Sequence, residues 1–166
     1  LFGTEAKGAY EFDGKTYAGR FLHTTGMETC INCHDAHALT PNLTACQGCH
    51  QTDDPTTIRM THQEDYDGDG DVTEGVKGEI DGLYEQLLAA VNDYVARNEL
   101  PALAYGSGYP YFVIDTNGNG IQDPDEATRA NGYKPWTPNL LKAAYNIQYV
   151  NKDPGAYVHN AVYIMQ

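Results

Sequence analysis

Positive charge is scarce in this chain of 166 residues: 10 Lys and Arg stand against 23 Asp and Glu, which gives a formal net charge of −13. Phosphate binding needs a basic surface, so this composition argues against a nucleic-acid partner. No apolar run approaches the roughly 20 residues that a membrane-spanning helix needs. The sequence begins at Leu1 without a visible signal peptide, and we interpret it as a processed or partial product.

Cysteine is also sparse, and all four cysteines lie in two C-x-x-C-H motifs, a pattern typical of c-type haem attachment. Two cysteines three positions apart can each form a thioether to one haem, while the adjacent histidine reaches the iron. Disulfides or a Cys₂His₂ zinc site are the alternatives, but neither explains the histidine that follows each second cysteine. The sequence therefore predicts two covalent haems and no structural disulfide. The predicted attachment residues are Cys30, Cys33, His34, Cys46, Cys49 and His50.

Each iron then needs a sixth ligand, and four more histidines are available for at most two positions. His37 follows His34 by three residues, so on a helix the two would share a face and His37 could point toward a second iron. We rank His23 and His37 first, His159 next and His62 last, because neutral imidazole is the usual strong iron ligand. Surplus histidines would do something else or bind a neighbour's haem. Axial thioethers from Met27, Met60 or Met165 are less favoured, since methionine more often fills a core.

The pattern along the chain predicts a mainly irregular and α fold, with a dihaem segment at 1–62 and a helical segment with two acidic loops at 63–166, together forming one compact domain. Asp13-Gly14 predicts the turn of a hairpin over residues 1–22. Helical periodicity covers 78–100, and Thr137 before Pro138 predicts a second helix to residue 150. Residues 111–114 predict a short strand, and 156–166 a short amphipathic tail.

A first acidic loop at residues 115–126 closely fits the twelve-residue calcium loop, in which oxygen ligands recur at fixed positions. Gly120 stands where that loop needs a sharp turn, and Ile121 would supply a main-chain carbonyl. The alternative is a solvated turn without an ion. The predicted calcium ligands are Asp115, Asn117, Asn119, Ile121, Asp123 and Glu126.

A second acidic loop, at residues 65–74, begins in the same way but departs from the pattern at position 12, which is Val76. Glu74 at position 10 could substitute and close a shortened loop. Carboxylates this close repel one another strongly unless a cation holds them. We therefore predict a second structural calcium ion at Asp65, Asp67, Asp69, Asp71 and Glu74.

Three blocks of the sequence, residues 21–37, 65–75 and 140–160, resemble the C-terminal part of large exported multihaem c-type cytochromes of metal-reducing and syntrophic microbes. The resemblance implies low-spin, bis-His haems that carry electrons, with His23, His37 and His159 as distal candidates. It implies an extracellular or cell-surface location, with the periplasm as the alternative. The relatives carry many more haems, so a histidine can be spare here. Certain extracellular cytochromes polymerise into conductive filaments through such histidines.

These observations leave three functional hypotheses. The leading one is electron transfer by two closely spaced haems to other redox proteins or extracellular acceptors, with a homopolymer in which His159 or His62 reaches a neighbour's iron. The second is a dihaem peroxidase or small-molecule reductase, which needs an open distal position. The third is a calcium-stabilised structural or adhesion subunit. Spare histidines argue against an open position, so we expect no enzymatic activity.

Overall fold

The computed structural model describes residues 8–59 and 64–166, and the chain forms two compact units. The first unit comprises residues 1–83 and 153–166, and the second comprises residues 84–152. This mixture of helix, irregular chain and one small sheet agrees with the expected mainly irregular and α class. The described elements are α1 Cys30–Cys33, α2 Thr44–His50, α3 Val76–Arg97, β1 Leu103–Tyr105, β2 Phe112–Ile114, α4 Pro138–Asn151, α5 Ala156–His159 and α6 Ala161–Met165, with 3₁₀ turns at Pro55–Thr57 and Arg129–Asn131.

The predicted N-terminal hairpin is wrong in its strands. Residues 1–7 lie outside the described part of the chain, and residues 8–22 contain no strand. The turn at Asp13-Gly14 does form, with a hydrogen bond from Lys15 N to Phe12 O of 3.2 Å. On either side of the turn, main-chain groups bond to side chains of the C-terminal tail. The bonds are Ala9 N to Tyr163 Oη, Ala18 N to Gln166 Oε1, and Asn160 Nδ2 to Gly19 O.

Residues 23–59 form only two short helices and one 3₁₀ turn, as their lack of periodicity predicts. No residue between 8 and 59 is buried. The buried apolar residues of the first unit are Val76, Ile80, Ala156, Ala161 and Tyr163, all in α3 and the C-terminal tail. This stretch of the first unit therefore has no apolar core of its own.

Helix α3 begins two residues before the predicted range and ends three residues before its end. Its first amide is anchored to the preceding chain, because Val76 N donates to Ile58 O at 3.0 Å. At the other end, Glu99 takes a left-handed conformation with a φ of 52°, and Leu100 N donates back to Val95 O. A left-handed residue stops the helical ladder.

The second unit is built on a conventional apolar core. Strands β1 and β2 pair antiparallel, with Ala104 opposite Val113. The strand at β2 was predicted, whereas β1 was not. Helix α4 has the predicted cap, since the Thr137 side chain accepts a hydrogen bond from Leu140 N. The buried core residues are Val91, Val95, Leu103, Tyr133, Leu140 and Ile147.

Candidate haem-binding site

The two C-x-x-C-H motifs lie side by side in the first unit. A main-chain bond of 2.7 Å runs from Asn42 N to Cys33 O, which ties the chain before α2 to the end of α1. His34 also forms an isolated antiparallel bridge with Pro41. Burial, followed by the nearby Cys46 and then Cys30 thiols, raises the pKa of the Cys33 thiol. No disulfide joins the four cysteines. The effect of Cys46 on the pKa of Cys33 requires the two motifs to be close.

His34, the histidine of the first motif, is held at one ring nitrogen and faces a second histidine. Its Nδ1 lies 2.8 Å from the main-chain oxygen of Leu39, a residue in the left-handed conformation with a φ of 58°. The His34 and His159 ring centroids are 6.2 Å apart, with 42° between the ring planes. Helix α5 thus brings a residue from the far end of the sequence to the first motif.

His159 is fixed by the turn that precedes α5. Its Nδ1 lies 2.7 Å from Asp153 Oδ2, and the other carboxylate oxygen of Asp153 accepts a hydrogen bond of 2.9 Å from Gly155 N. A Cβ at Gly155 would lie 2.9 Å from His159 Cε1, so glycine lets the ring lie against the main chain. With Nδ1 occupied in both His34 and His159, Nε2 is the nitrogen left for a metal.

The second motif has a histidine partner as well. The His23 and His50 ring centroids are 5.9 Å apart, with 63° between the planes. Phe21 packs edge-on against His23 at 5.9 Å between centroids. His50 is the last residue of α2, and Gln51 caps that helix in the left-handed conformation. Each motif histidine is therefore adjacent to one of the predicted distal histidines.

The remaining histidines are placed differently. His37 lies in a tight loop in which Asp35 Oδ1 accepts hydrogen bonds from His37 N and Ala38 N, and these two bonds, that of Ala38 first, lower the pKa of Asp35. Among the described residues, the His37 ring contacts neither motif histidine, and its side chain is exposed. His62 and Met60 lie outside the described residues. The structure thus groups His23 and His159, but not His37, with the motifs.

The apolar side chains of the motif region are exposed to an unusual degree. An isolated exposed Leu needs no explanation, but a concentration of them within one short segment does. A haem offers a large apolar plane, so the residues present fit such a group in their apolar surface as well as in their thiol and imidazole donors. The exposed residues include Phe21, Leu22, Ile31, Leu39 and Leu43, with Ile31 70 % and Leu39 71 % exposed.

The loop at 115–126 in the second unit is folded around its carboxylates. Asp115 is 7 % exposed and accepts hydrogen bonds from Gly118 N and Gly120 N. Both glycines have positive φ values, of 74° and 78°, which this turn requires. Glu126 is buried and accepts from Thr116 N and Thr116 Oγ1, and these two bonds, the side-chain one first, lower the pKa of Glu126.

The loop at 65–74 in the first unit repeats this hydrogen-bond pattern. Asp65 accepts from Gly68 N and Gly70 N, as Asp115 does from its own two glycines. The main-chain N–H of the second loop residue, Tyr66, donates a 2.8 Å hydrogen bond to Glu79 Oε2, as Thr116 N does to Glu126 in the other loop. Glu79 is fully buried and also pairs with Arg59 at 3.1 Å. Sequence reasoning missed Glu79, although an acidic residue in the first turn of α3 was a visible signal.

Carboxylate oxygens of this loop come close enough to share a cation in two overlapping groups. One group is Asp65, Asp67 and Glu79, and the other is Asp67, Asp69 and Glu74, each with ligand atoms within 4.8 Å of one another. Burial, followed by the negative charges of Glu79 and the loop aspartates, raises the pKa of Glu74. A raised pKa means that the ionised cluster is unfavourable without a balancing positive charge.

Comparison with known proteins identifies relatives of one kind. The C-type polyheme cytochrome OmcC of Geobacter sulfurreducens (strain ATCC 51573 / DSM 12127 / PCA) is 30 % identical over 187 aligned positions, covering 98 % of this chain and 23 % of the relative. The C-type polyheme cytochrome OmcB of the same species (strain DL-1 / KN400) is 33 % identical over 142 positions, covering 72 % of this chain and 19 % of the relative. No protein-family model and no solved structure matches the chain.

The chain is therefore homologous to the C-terminal region of these large polyhaem c-type cytochromes. The resemblance inferred from the sequence is confirmed. This relationship implies covalent c-type haem in the present chain. The chain spans about a fifth of the length of the curated relatives it matches, 19 % to 23 %. Among the described residues, no helix is long and apolar enough to cross a bilayer.

Proposed function

We propose that this chain is a dihaem electron carrier in which His34 and His159 ligate one haem iron, and His50 and His23 ligate the other. Imidazole nitrogens bind a first-row metal at about 2.0–2.1 Å, so two imidazoles on opposite sides of one iron have centroids about 6.3 Å apart. The centroid separations of 6.2 Å and 5.9 Å are close to that value. This match is the observation that carries the proposal, with Cys30, Cys33, Cys46 and Cys49 as the attachment residues.

The hydrogen bonds around the first pair support the same assignment. A metal-bound histidine usually donates its second ring nitrogen to a carbonyl or carboxylate, which fixes its tautomer and orientation. His34 has Leu39 O in that role and His159 has Asp153. Nothing about an ordinary surface histidine requires either partner. His37 has no comparable arrangement among the described residues, so we rank it below His159, which reverses the order that sequence spacing favours.

Two nitrogen ligands per iron favour electron transfer over catalysis. Haem held by two histidines in this way would supply reversible one-electron chemistry and would offer no coordination site to a substrate. The side chains of this chain then bind, orient and partly bury the cofactor. The bond from Asn42 N to Cys33 O keeps the motifs adjacent, as a relay requires. The partners would be other redox proteins or extracellular electron acceptors.

Substitution of single histidines tests the pairing. His159→Ala and His23→Ala should each convert one of two haems from low-spin to high-spin in the oxidised chain, and each variant should bind carbon monoxide when reduced. His37→Ala is the matched control and should leave both haems low-spin. High-spin character in the unchanged chain would favour the dihaem enzyme instead. A high-spin signal in His37→Ala, with none in His159→Ala, would contradict the pairing at His34.

We also propose structural calcium at both acidic loops. The repeated hydrogen-bond pattern at Asp65 and Asp115 supports a common role, and oxygen ligands in a flexible loop suit calcium. In the first unit, Glu79 joins the predicted ligands Asp65, Asp67, Asp69, Asp71 and Glu74. In the second unit, the proposed calcium ligands are those predicted from the sequence of residues 115–126. Elemental analysis of purified chain should find calcium that Glu126→Gln or Glu79→Gln reduces by one ion each.

Location and assembly are further parts of the proposal. Covalent attachment of c-type haem takes place outside the cytoplasmic membrane, which supports an extracellular or cell-surface site, with the periplasm as the alternative. If His159 serves its own chain, His37 and His62 are the histidines left to reach a neighbouring subunit. Contacts of this kind that do not close into a ring would build a filament. Sedimentation of haem-loaded, calcium-loaded chain tests this: polymers should form, and a single monomeric species would contradict it.

A further inference from the structure

The two histidine pairs differ in what holds their Nδ1 atoms. His159 Nδ1 lies 2.7 Å from a carboxylate oxygen of Asp153, and His34 Nδ1 lies 2.8 Å from a main-chain carbonyl oxygen. Across residues 8–59 and 64–166, the ring nitrogens of His23 and His50 have no hydrogen-bond partner. Among these described residues, one pair therefore has a negative charge at an outer ring nitrogen, and the other pair has none.

Asp153 is held in place and partly shielded from water. Its Oδ1 accepts a hydrogen bond from Gly155 N, and its main-chain oxygen accepts one from Ala156 N. Its side chain is 23 % exposed. A charge in such a position interacts more strongly with its neighbour than a fully solvated one does. Gly155 completes the arrangement, because a Cβ there would push against the His159 ring.

A carboxylate at Nδ1 changes the ligand and not only its orientation. A histidine that donates its Nδ1–H to a carboxylate becomes a more basic ligand through its other nitrogen. A more basic ligand stabilises the oxidised iron relative to the reduced iron, which lowers the reduction potential. A neutral carbonyl acceptor, such as Leu39 O, has a weaker effect of the same sign.

We propose that Asp153 is a positioning residue that makes the haem of His34 and His159 the lower-potential member of the pair. This inference rests on the histidine pairing proposed above. In a half-reduced chain, the electron would then reside mainly on the haem of His23 and His50. A fixed order of potentials gives the relay a preferred resting site for one electron.

A redox titration of haem-loaded chain with dithionite tests the inference. Each step adds one electron from dithionite to one ferric iron, and we expect two resolved steps. Asp153→Asn removes the charge and keeps one acceptor oxygen, which can serve either His159 Nδ1 or Gly155 N. It should shift the equilibrium constant of the lower step toward reduction by at least tenfold, which for one electron corresponds to about 59 mV. The upper step should not move.

Asp35→Asn is the matched control. Asp35 also carries a carboxylate beside the first motif, but its bonds go to His37 N and Ala38 N and not to a ring nitrogen. The inference is wrong if Asp153→Asn moves the upper step, moves neither step, or moves the lower step no more than Asp35→Asn does. Asp153→Ser, which offers a neutral hydroxyl, provides a second variant with the same expected shift.

The outcomes separate this inference from the pairing on which it rests. If Asp153→Asn stays low-spin with two haems and its lower step does not shift, only the role of Asp153 fails. If His159→Ala stays entirely low-spin, the pairing itself fails. Should neither Asp153 variant accumulate with haem, the unchanged chain decides: two steps more than about 59 mV apart support the inference, and coincident steps overturn it.

Discussion

In the second unit, apolar side chains from α3, β1 and α4 pack into one core, in which Ile147 is fully buried. In the first unit, by contrast, none of residues 8–59 is buried. Both stretches contain apolar residues, but those of the motif region stay exposed, with Ile31 and Leu39 each at least 70 % exposed. The difference indicates two sources of stability. One unit has an ordinary hydrophobic core, and the other has a motif segment whose core would be its cofactors.

The largest expected effect follows from preventing haem attachment. We expect serine at all four attachment positions (Cys30→Ser, Cys33→Ser, Cys46→Ser and Cys49→Ser) to abolish the ordered structure of residues 23–59, because their apolar side chains have no other core to join. Hydrogen exchange should show these amides losing protection while those of α4 keep it. Retained protection across both motifs in the haem-free variant would contradict a cofactor-built core. The reference is hydrogen exchange of the unchanged, haem-loaded chain in the same buffer.

A core substitution should produce the opposite pattern. Ile147→Ala removes a fully buried side chain from the second unit and should lower its free energy of unfolding by about 2–5 kcal/mol. The haem absorption spectrum should not change. Leu141→Ala is the matched control, because that residue lies on the same helix but is 54 % exposed. Thermal unfolding followed by circular dichroism measures the difference, and equal effects of the two variants would argue against this core.

Calcium removal should act on both units, one loop in each. An ion present at 1,000 times its Kd stabilises the native state by about 4 kcal/mol, so chelation should lower the melting temperature and calcium should restore it. Glu126→Gln should make the second unit insensitive to chelation, and Glu79→Gln the first. The exposed neighbours Asp125→Asn and Asp81→Asn serve as controls. A melting curve unchanged by EDTA would remove calcium from the account.

The smallest expected effect is local to α4. Thr137→Ala removes the side-chain oxygen that accepts from Leu140 N, and such a loss costs about 1 kcal/mol. The Tyr94 hydroxyl, 2.9 Å from Thr137 Oγ1, would lose a partner as well. Thr137→Ser keeps the oxygen and should restore most of the loss. A denaturant titration of the second unit distinguishes the two variants, and identical midpoints would show that the cap contributes little.

The elements that sequence predicted are those with strong local signals. Helix α3 has a long apolar period and α4 has a Thr-Pro start, so both were found within three residues at each end. Strand β1 was missed because its three residues, Leu103–Tyr105, are too few to show an alternating pattern. The hairpin was wrongly predicted since Asp13-Gly14 specifies a turn, while strand pairing depends on tertiary partners, here the C-terminal tail.

The sequence predicted which residues make up the candidate site better than it predicted which histidines lie next to each other. The C-x-x-C-H spacing names the attachment residues directly, and the structure leaves that assignment as a prediction. Spacing favoured His37 over His159, because neighbours along a helix are visible in sequence and contacts across 125 positions are not. Glu79 was missed for a similar reason, because it lies outside the twelve-residue loop pattern. It accepts a hydrogen bond from Tyr66 N, which is equivalent to the bond from Thr116 N to Glu126 in the other loop.

The most direct test of the central claim is magnetic circular dichroism of the oxidised, haem-loaded chain in the near infrared, together with its mass. We predict the mass of the chain plus two haems and a charge-transfer band typical of two nitrogen ligands at both irons, with no high-spin component. A high-spin iron, a methionine-ligated iron or a single haem per chain would contradict the account of two histidine-paired haems.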